Sequence, residues 1–214
     1  MKNNRLRGRP EDTDVKAHLL KEGVQLFVRK GFRGTTVEDI TDAVNLTKGA
    51  FYWHFKSKNE LLESVIEKYE RECIDGLIKA MKKVRGTFVT KFNQYHKYIT
   101  EFAFYNRDLC VGFMTLSAEL AGSGTDVEKN INAVYAKYRG FIKDLVELGK
   151  KEEIVKRDLD SDVAVHVIVA INNGMLLEWY MNQNAIDGQT LAKTYRDITL
   201  RGILKQVPAV KSAA

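Results

Sequence analysis

Between residues 11 and 207 this chain contains no proline; the two it has are Pro10 and Pro208. Nothing in that span forbids an interior helical turn, either by lacking an N–H or by clashing with the preceding turn. Hairpin-type dipeptides include Asp75-Gly76 and Asp187-Gly188, and neither lies between runs of alternating apolar and polar residues. An all-α fold is therefore expected. Hydrophobic residues make up 44% and charged residues 29% of the 214, a globular balance that fits neither a disordered chain nor a membrane protein. The longest apolar stretch, Val163 to Ile171, includes His166 and falls well short of the roughly 20 apolar residues a membrane span needs. The basic N-terminus is followed by no apolar run, and Cys73 and Cys110 lack close spacing or metal-type neighbours. A reduced, cytoplasmic protein without a secretory signal is expected.

Charge divides the chain unevenly. Through Ser57 there are eleven Lys/Arg against seven Asp/Glu, so four of the six net positive charges lie in the first quarter or so, as expected of a head that meets a polyanion. In this head Ala17, Leu20, Val24, Phe27 and Val28 recur at helical spacing, and Gly31 stands where a left-handed C-terminal cap belongs. Thr35-Thr36-Val37-Glu38 places a hydroxyl three residues before a carboxylate, so a second helix is expected from about Thr36 to Val44. Asn45 tolerates the left-handed conformation of a tight turn. Thr47 can cap a short third helix, and Ser57 to Glu60 forms a capping box for a fourth. Three short helices with a tight turn between the second and third outline a helix-turn-helix.

The third helix carries the chemistry. Thr47-Lys48-Gly49-Ala50 presents a hydroxyl, a cation and two minimal side chains where a backbone could approach another surface. Phe51 and Phe55, one turn apart, should face the head's own core. Tyr52, Trp53 and His54 project to the other sides, because three consecutive helical residues cannot all face inward. Cations, tyrosine hydroxyls and helix N-termini are the groups that bind phosphates.

The run Gly31-Phe32-Arg33-Gly34-Thr35-Thr36-Val37-Glu38-Asp39-Ile40, then Thr47-Lys48-Gly49-Ala50-Phe51-Tyr52-Trp53-His54-Phe55 and Ser57-Lys58-Asn59-Glu60-Leu61, resembles the DNA-binding head of the TetR family of transcriptional regulators. The likeness covers roughly residues 12 to 62. It implies a homodimeric, all-helical regulator, usually a repressor, whose body binds a small molecule that lowers DNA affinity. By matching position, Lys48, Gly49, Ala50, Tyr52, Trp53 and His54 would face DNA, with Thr36 and Lys58 at phosphate contacts and Thr47 at the start of the recognition helix. Two departures stand out. Val44-Asn45 replaces the Ala-Gly pair common in the family's turn, and Thr41 replaces a common alanine.

Ahead of the head, Arg7-Gly8-Arg9-Pro10 is narrow enough for a minor groove, where arginines are drawn by negative potential, so Arg7 and Arg9 join the DNA set. The expected organisation is residues 1–57 for this arm and the DNA-binding head, and 58–214 for effector binding and dimerisation. In the body, helices are expected from Lys58 towards Lys83, along the stripe Phe88 to Phe102, from Leu109 to Leu120, from Thr125-Asp126 to Gly149, from Ser161 to Asn182, and from Gly188 to Gln206. Gly122-Ser123-Gly124 reads as a loop and Lys150-Lys151-Glu152-Glu153 as a solvated charge run.

Val163 to Ile171 is apolar nearly all round and must be covered on more than one side. A second subunit would do so, and the resemblance implies pairing through the last two helices; two heads would then suit a palindromic operator. Phe92, Tyr95, Phe102, Phe113, Met114, Tyr138, Phe141, Met175 and Trp179 are the candidate lining of an effector pocket. Asn172 and Asn173 interrupt an apolar helix, and a buried amide needs a partner, so Asn172 joins that set. The pocket should suit an apolar or aromatic molecule with few polar groups. The rival readings are a helical enzyme or ligand carrier with an incidental basic head, and a nonspecific architectural DNA protein. His18, His54, His96 and His166 lie far apart, without metal-ligand spacing, and no nucleophile-elbow or phosphate-loop motif occurs. No catalytic residue, metal, cofactor or membrane partner is therefore expected. A net charge of +6 is modest for an architectural protein, which would also leave the body unused.

Overall fold

The computed structural model describes residues 10 to 205, and within them the chain is helical, with one isolated antiparallel bridge between Val155 and Leu204. The helices are α1 (Pro10–Lys30), α2 (Val37–Ala43), α3 (Lys48–His54), α4 (Lys58–Tyr69), α5 (Gly76–Met81), α6 (Phe88–Tyr105), α7 (Arg107–Leu120), α8 (Asp126–Lys151), α9 (Ser161–Met181) and α10 (Gly188–Ile203). The expected all-α class holds. Arg7 and Arg9 lie outside the described residues.

The chain forms two compact units. One comprises the described residues through Glu72 together with Asn106–Asn132; the other comprises Cys73–Tyr105 and the described residues from Ala133 onward. The first thus joins the helix-turn-helix to α4 and α7. Its core is built from Leu19, Val24, Leu26 and Phe27 of α1, Ile40 of α2, Phe51 and Phe55 around α3, Leu61, Leu62 and Val65 of α4, and Val111, Phe113 and Leu116 of α7. Phe113 stacks on Tyr69 with centroids 4.0 Å apart. The second unit buries Phe88, Phe92 and Tyr95 of α6, Tyr138, Ile142, Leu145 and Val146 of α8, Val165 and Ile168 of α9, and Tyr195 of α10.

Several local expectations are corrected. Ala17 is exposed while Leu19 and Leu26 are buried beside Val24 and Phe27, so the inward face of α1 is turned from the expected stripe. The helix after Lys58 is continued by a π-helical segment, Glu70–Asp75, before α5. Helix α8 runs on to Lys151 and so includes the first half of the charge run, which is largely committed. The Lys150 ammonium donates to the carbonyl of Leu159 at 2.5 Å, and the Glu152 carboxylate accepts from the N–H of Phe88 at 2.8 Å. The charges there close the start of α6 and the loop before α9.

Candidate functional site

Both Thr35 and Thr36 have an acidic residue three positions on, and the structure chooses the second pair. Thr35 is fully buried and its hydroxyl donates to the carbonyl of Gly31 at 2.7 Å. Thr36 is therefore the N-cap of α2: its hydroxyl accepts from Asp39 N–H at 3.0 Å, and the Asp39 carboxylate accepts from Thr36 N–H at 2.8 Å. Lys30 donates to the same carboxylate at 2.7 Å and the Thr36 hydroxyl reaches it at 2.9 Å; these bonds with the one from Thr36 N–H hold Asp39 down to about 2. The turn after α2 closes through Leu46 N–H donating to Thr41 carbonyl at 2.9 Å, with Asn45 at φ 54, the left-handed conformation expected of it. Thr41, the second departure, is buried and donates to Glu38 carbonyl at 3.1 Å, so its extra hydroxyl is satisfied inside the helix.

Thr47 caps α3, its hydroxyl accepting from Ala50 N–H at 3.2 Å. Phe51 and Phe55 turn inward with centroids 5.6 Å apart, and Lys16 lies 5.1 Å above the Phe55 ring. The outward face carries Tyr52, 54% exposed, and Trp53, 77% exposed, beside half-buried His54. Thr47, Lys48 and Gly49 are also exposed and Ala50 is half-buried, and Thr36 before α2 is exposed as well. Lys48 is paired with Glu38, which raises its pKa. At Gly49 an added Cβ would meet only the Thr47 hydroxyl, at 3.6 Å, and its φ is ordinary. Nothing inside the chain requires glycine at that position.

Lys58 is placed otherwise than a simple phosphate contact. Its ammonium donates to the carbonyls of Phe32 at 2.7 Å and Thr35 at 2.6 Å and lies 4.3 Å from the Phe32 ring centroid. Burial lowers its pKa against the opposing fields of Glu119 and Asp39. At most one N–H of this ammonium is left for a partner beyond the loop it holds.

The ten candidate effector residues divide between the units. Phe113 and Met114 belong to the unit of the helix-turn-helix. Phe92, Tyr95, Phe102, Tyr138, Phe141, Asn172, Met175 and Trp179 belong to the other. In that second unit a polar triad joins α6, α8 and α9: Asn172 donates to Tyr95 hydroxyl at 2.7 Å and to Tyr138 hydroxyl at 2.9 Å, and the two hydroxyls bond to each other at 2.8 Å. Asn173 donates to Tyr135 hydroxyl at 3.3 Å. Both amides thus find partners within one chain. Phe141 packs 5.8 Å from Tyr95, Phe102 stacks on Tyr98 at 6.3 Å, and Trp179 stacks on exposed Phe104 at 6.0 Å.

His96, set aside in the sequence for want of metal-ligand spacing, lies one residue from Tyr95 on the apolar stripe of α6. It is buried, its ring lies 4.7 Å from Tyr195, and its Nε2 has no hydrogen-bond partner. Burial, reinforced by Arg196 and opposed by Asp197, pushes it down to about 4, so the imidazole is neutral near pH 7. Its period-correct position on that stripe was the available signal. Glu119, whose carboxylate reaches a loop 86 and 87 residues earlier, left no signal at all in the sequence.

A capped helix-turn-helix with an exposed aromatic and basic recognition face, carried by helices alone, defines a DNA-binding transcriptional regulator. Comparison with known proteins gives the family. The profile of bacterial regulatory proteins of the tetR family matches residues 19–65, and that of the C-terminal region of YsiA-like protein matches residues 59–202, more than half of the chain. The chain belongs to the TetR family of bacterial transcriptional regulators. The transcriptional repressor DhaR of Mycobacterium sp. strain GP1 is 25% identical over 173 residues, 80% of this chain and 85% of that one. The probable acrEF/envCD operon repressor of Escherichia coli K12 is 24% identical over 207 residues, 91% of this chain and 89% of that one. Among solved structures, the MbdR regulator of Azoarcus sp. CIB superposes with a TM-score of 0.81 at 26% identity, over 89% of this chain and all of that one. The ketosteroid transcriptional regulator KstR2 of Mycobacterium tuberculosis shares the fold, with a TM-score of 0.78 at 21% identity over 94% and 98% of the two chains. These relatives are regulators rather than enzymes.

Proposed function

We propose that this chain is a homodimeric repressor that holds a palindromic operator through α3 and releases it when a small apolar or aromatic effector enters the body. The observation that carries the reading is the outward face of α3, where large aromatics stand exposed beside a glycine that the fold does not need. In this reading Lys48, Gly49, Ala50, Tyr52, Trp53 and His54 face the bases and nearby phosphates. Thr36 and Thr47 take backbone oxygens, and Lys58 offers its remaining N–H to a phosphate while holding the loop. Arg7 and Arg9 enter the adjacent minor groove. Residues 1–57 bind DNA and residues 58–214 serve effector binding and pairing.

Pairing through α9 and α10 is supported by their exposed apolar residues. Val163, Val167, Ile171 and Met181 form a stripe along α9, and Ile198 stands 65% exposed on α10. By length and composition α9 could cross a membrane, but Asn172 and Asn173 tie one side of it to tyrosines of its own unit. A second copy, rather than lipid, then covers the other side, and the regulator works in the cytoplasm, without catalytic activity, metal or cofactor. The effector reading rests on the aromatic interior of the second unit, where the phenols of Tyr95, Tyr138 and Tyr195, the Asn172 amide and the His96 imidazole are neutral groups. A site of that kind favours a buried moiety that is uncharged and carries one or two hydrogen-bonding atoms.

Selection of duplexes from a random library with the purified chain tests the proposal. An enriched palindrome is expected, and Lys48→Ala and Tyr52→Ala should each weaken it by about tenfold or more with the helical content intact. Enrichment of no sequence, or full affinity in both variants, refutes the recognition-helix assignment.

A further inference from the structure

The loop between α1 and α2 is gripped from two sides by opposite charges. In the peptide that joins Phe32 to Arg33, the N–H of Arg33 donates to Glu119 Oε1 at 2.8 Å while the carbonyl of Phe32 accepts from Lys58 Nζ at 2.7 Å. The other oxygen of Glu119 accepts from the N–H of Phe32 at 2.7 Å, and Lys58 also reaches Thr35 carbonyl at 2.6 Å. The N–H and C=O of a trans peptide point in opposite directions. The peptide dipole is therefore aligned between a carboxylate at its positive end and an ammonium at its negative end, and rotating it would lose both. Gly31, at φ +73, makes the approach possible: a Cβ there would sit 3.0 Å from Glu119 Oε2. Four residues beyond Phe32 stands Thr36, the N-cap of α2.

Glu119 is poorly placed for its own helix. It is the penultimate residue of α7, where free carbonyls make a carboxylate unfavourable and where no basic residue lies in the last turn. Among the described residues the position is compensated by the loop N–H groups it holds and by the charge of Lys58. A polar tie between α1 and α7, Gln25 donating to Asp108 at 3.1 Å, lies at the other end of α7 and touches neither the loop nor α2.

We propose that Glu119 is a positioning residue for sequence-selective DNA binding: through the Phe32–Arg33 peptide it fixes the start of α2, and with it the seating of α3 on the bases. The inference rests on the reading that α3 binds DNA. Selective and nonselective binding should separate under its loss, because phosphate attraction needs the charges of the head and base readout needs its orientation.

The test uses the full-length chain and the duplex that the unaltered chain enriches from a random library, with a shuffled duplex for comparison. Anisotropy titrations over a salt series give affinity and salt slope for Glu119→Gln, Glu119→Ala and Asp108→Asn. Glu119→Gln keeps the shape but sets an amide N–H₂ against one of the two backbone donors. Weakening of the enriched duplex by about tenfold is expected for Glu119→Gln and more for Glu119→Ala, with the shuffled duplex and the salt slope unchanged. Asp108→Asn should keep its selectivity even where it lowers the melting temperature as much. Equal losses on both duplexes, retained selectivity in both Glu119 variants, or the same loss of selectivity in Asp108→Asn overturns the proposal. Failure of the unaltered chain to enrich any duplex would instead overturn the DNA-binding reading beneath it. Should both Glu119 variants fail to fold, amide exchange on the unaltered chain decides: protection of Phe32 and Arg33 amides that rises on the enriched duplex and not on the shuffled one supports the role, and equal protection refutes it.

Discussion

Gly49→Ala should make the protein more stable and a worse binder of its operator. Glycine costs a helix up to about 1 kcal/mol relative to alanine, because more backbone freedom is lost on folding. Gly49 is the second residue of a seven-residue helix with an exposed face, so the expected gain is about 0.5 kcal/mol, at the lower half of that range. No strain offsets the gain, since the added methyl would meet only Thr47 Oγ1, at 3.6 Å. On DNA the sign reverses. A methyl group inserted where the backbone of α3 comes nearest another surface forces the helix outward, and a loss of about tenfold corresponds to ~1.4 kcal/mol. Urea unfolding and anisotropy titration against an enriched duplex read the two effects on the same sample. An unchanged duplex affinity would show that α3 does not approach DNA through Gly49, and a loss of stability would refute the claim that the fold itself has no use for this glycine.

Val167→Arg, in the middle of the exposed stripe of α9, is expected to turn a dimer into a monomer by sedimentation, while the same change at exposed Lys129 leaves assembly alone. A buried neutral His96 makes the second unit acid-sensitive. Its pKa falls from 6.5 to about 4 on folding, so its contribution is complete above pH 6.5 and is lost as pH drops towards 4, on the order of 2–4 kcal/mol in all. His96→Phe should flatten that part of the stability profile measured by urea unfolding between pH 7.5 and 4.5; an identical slope would exclude His96 as its source. Asn172→Leu removes the donor shared by the Tyr95 and Tyr138 hydroxyls and should cost about 1–3 kcal/mol, with a neutral result showing that the triad does not stabilise the unit.

Local rules carried most of the head. Thr47 and Asn45 do in the structure what spacing over three or four residues implies, and Ser57 caps α4 as expected, but the Glu60 carboxylate accepts from Lys56 N–H and leaves the expected capping box half made. The same rules left a choice between Thr35 and Thr36, which burial settled by turning Thr35 inward to Gly31. They also gave no warning of the π-helical segment Glu70–Asp75, which lies in a stretch whose sequence reads as one continuous helix. In the body, periodicity found the buried stripe of α6 but could not say which of its residues would be satisfied. Tyr95 meets Tyr138 and Asn172, whereas its neighbour His96 is left with an unpaired nitrogen.

By itself, then, the sequence determined an all-helical chain, a helix-turn-helix and the residues on the outer face of its third helix, because helix periodicity, capping and the absence of proline act over a few residues at a time. The tertiary structure decided what depends on groups far apart in the chain. It drew Lys58 away from solvent to the loop before α2, brought Glu119 of α7 to the other side of the same peptide, and joined α6, α8 and α9 through one amide and two phenols. Burial makes such partners obligatory for polar groups, but only the folded chain determines which partner each will find.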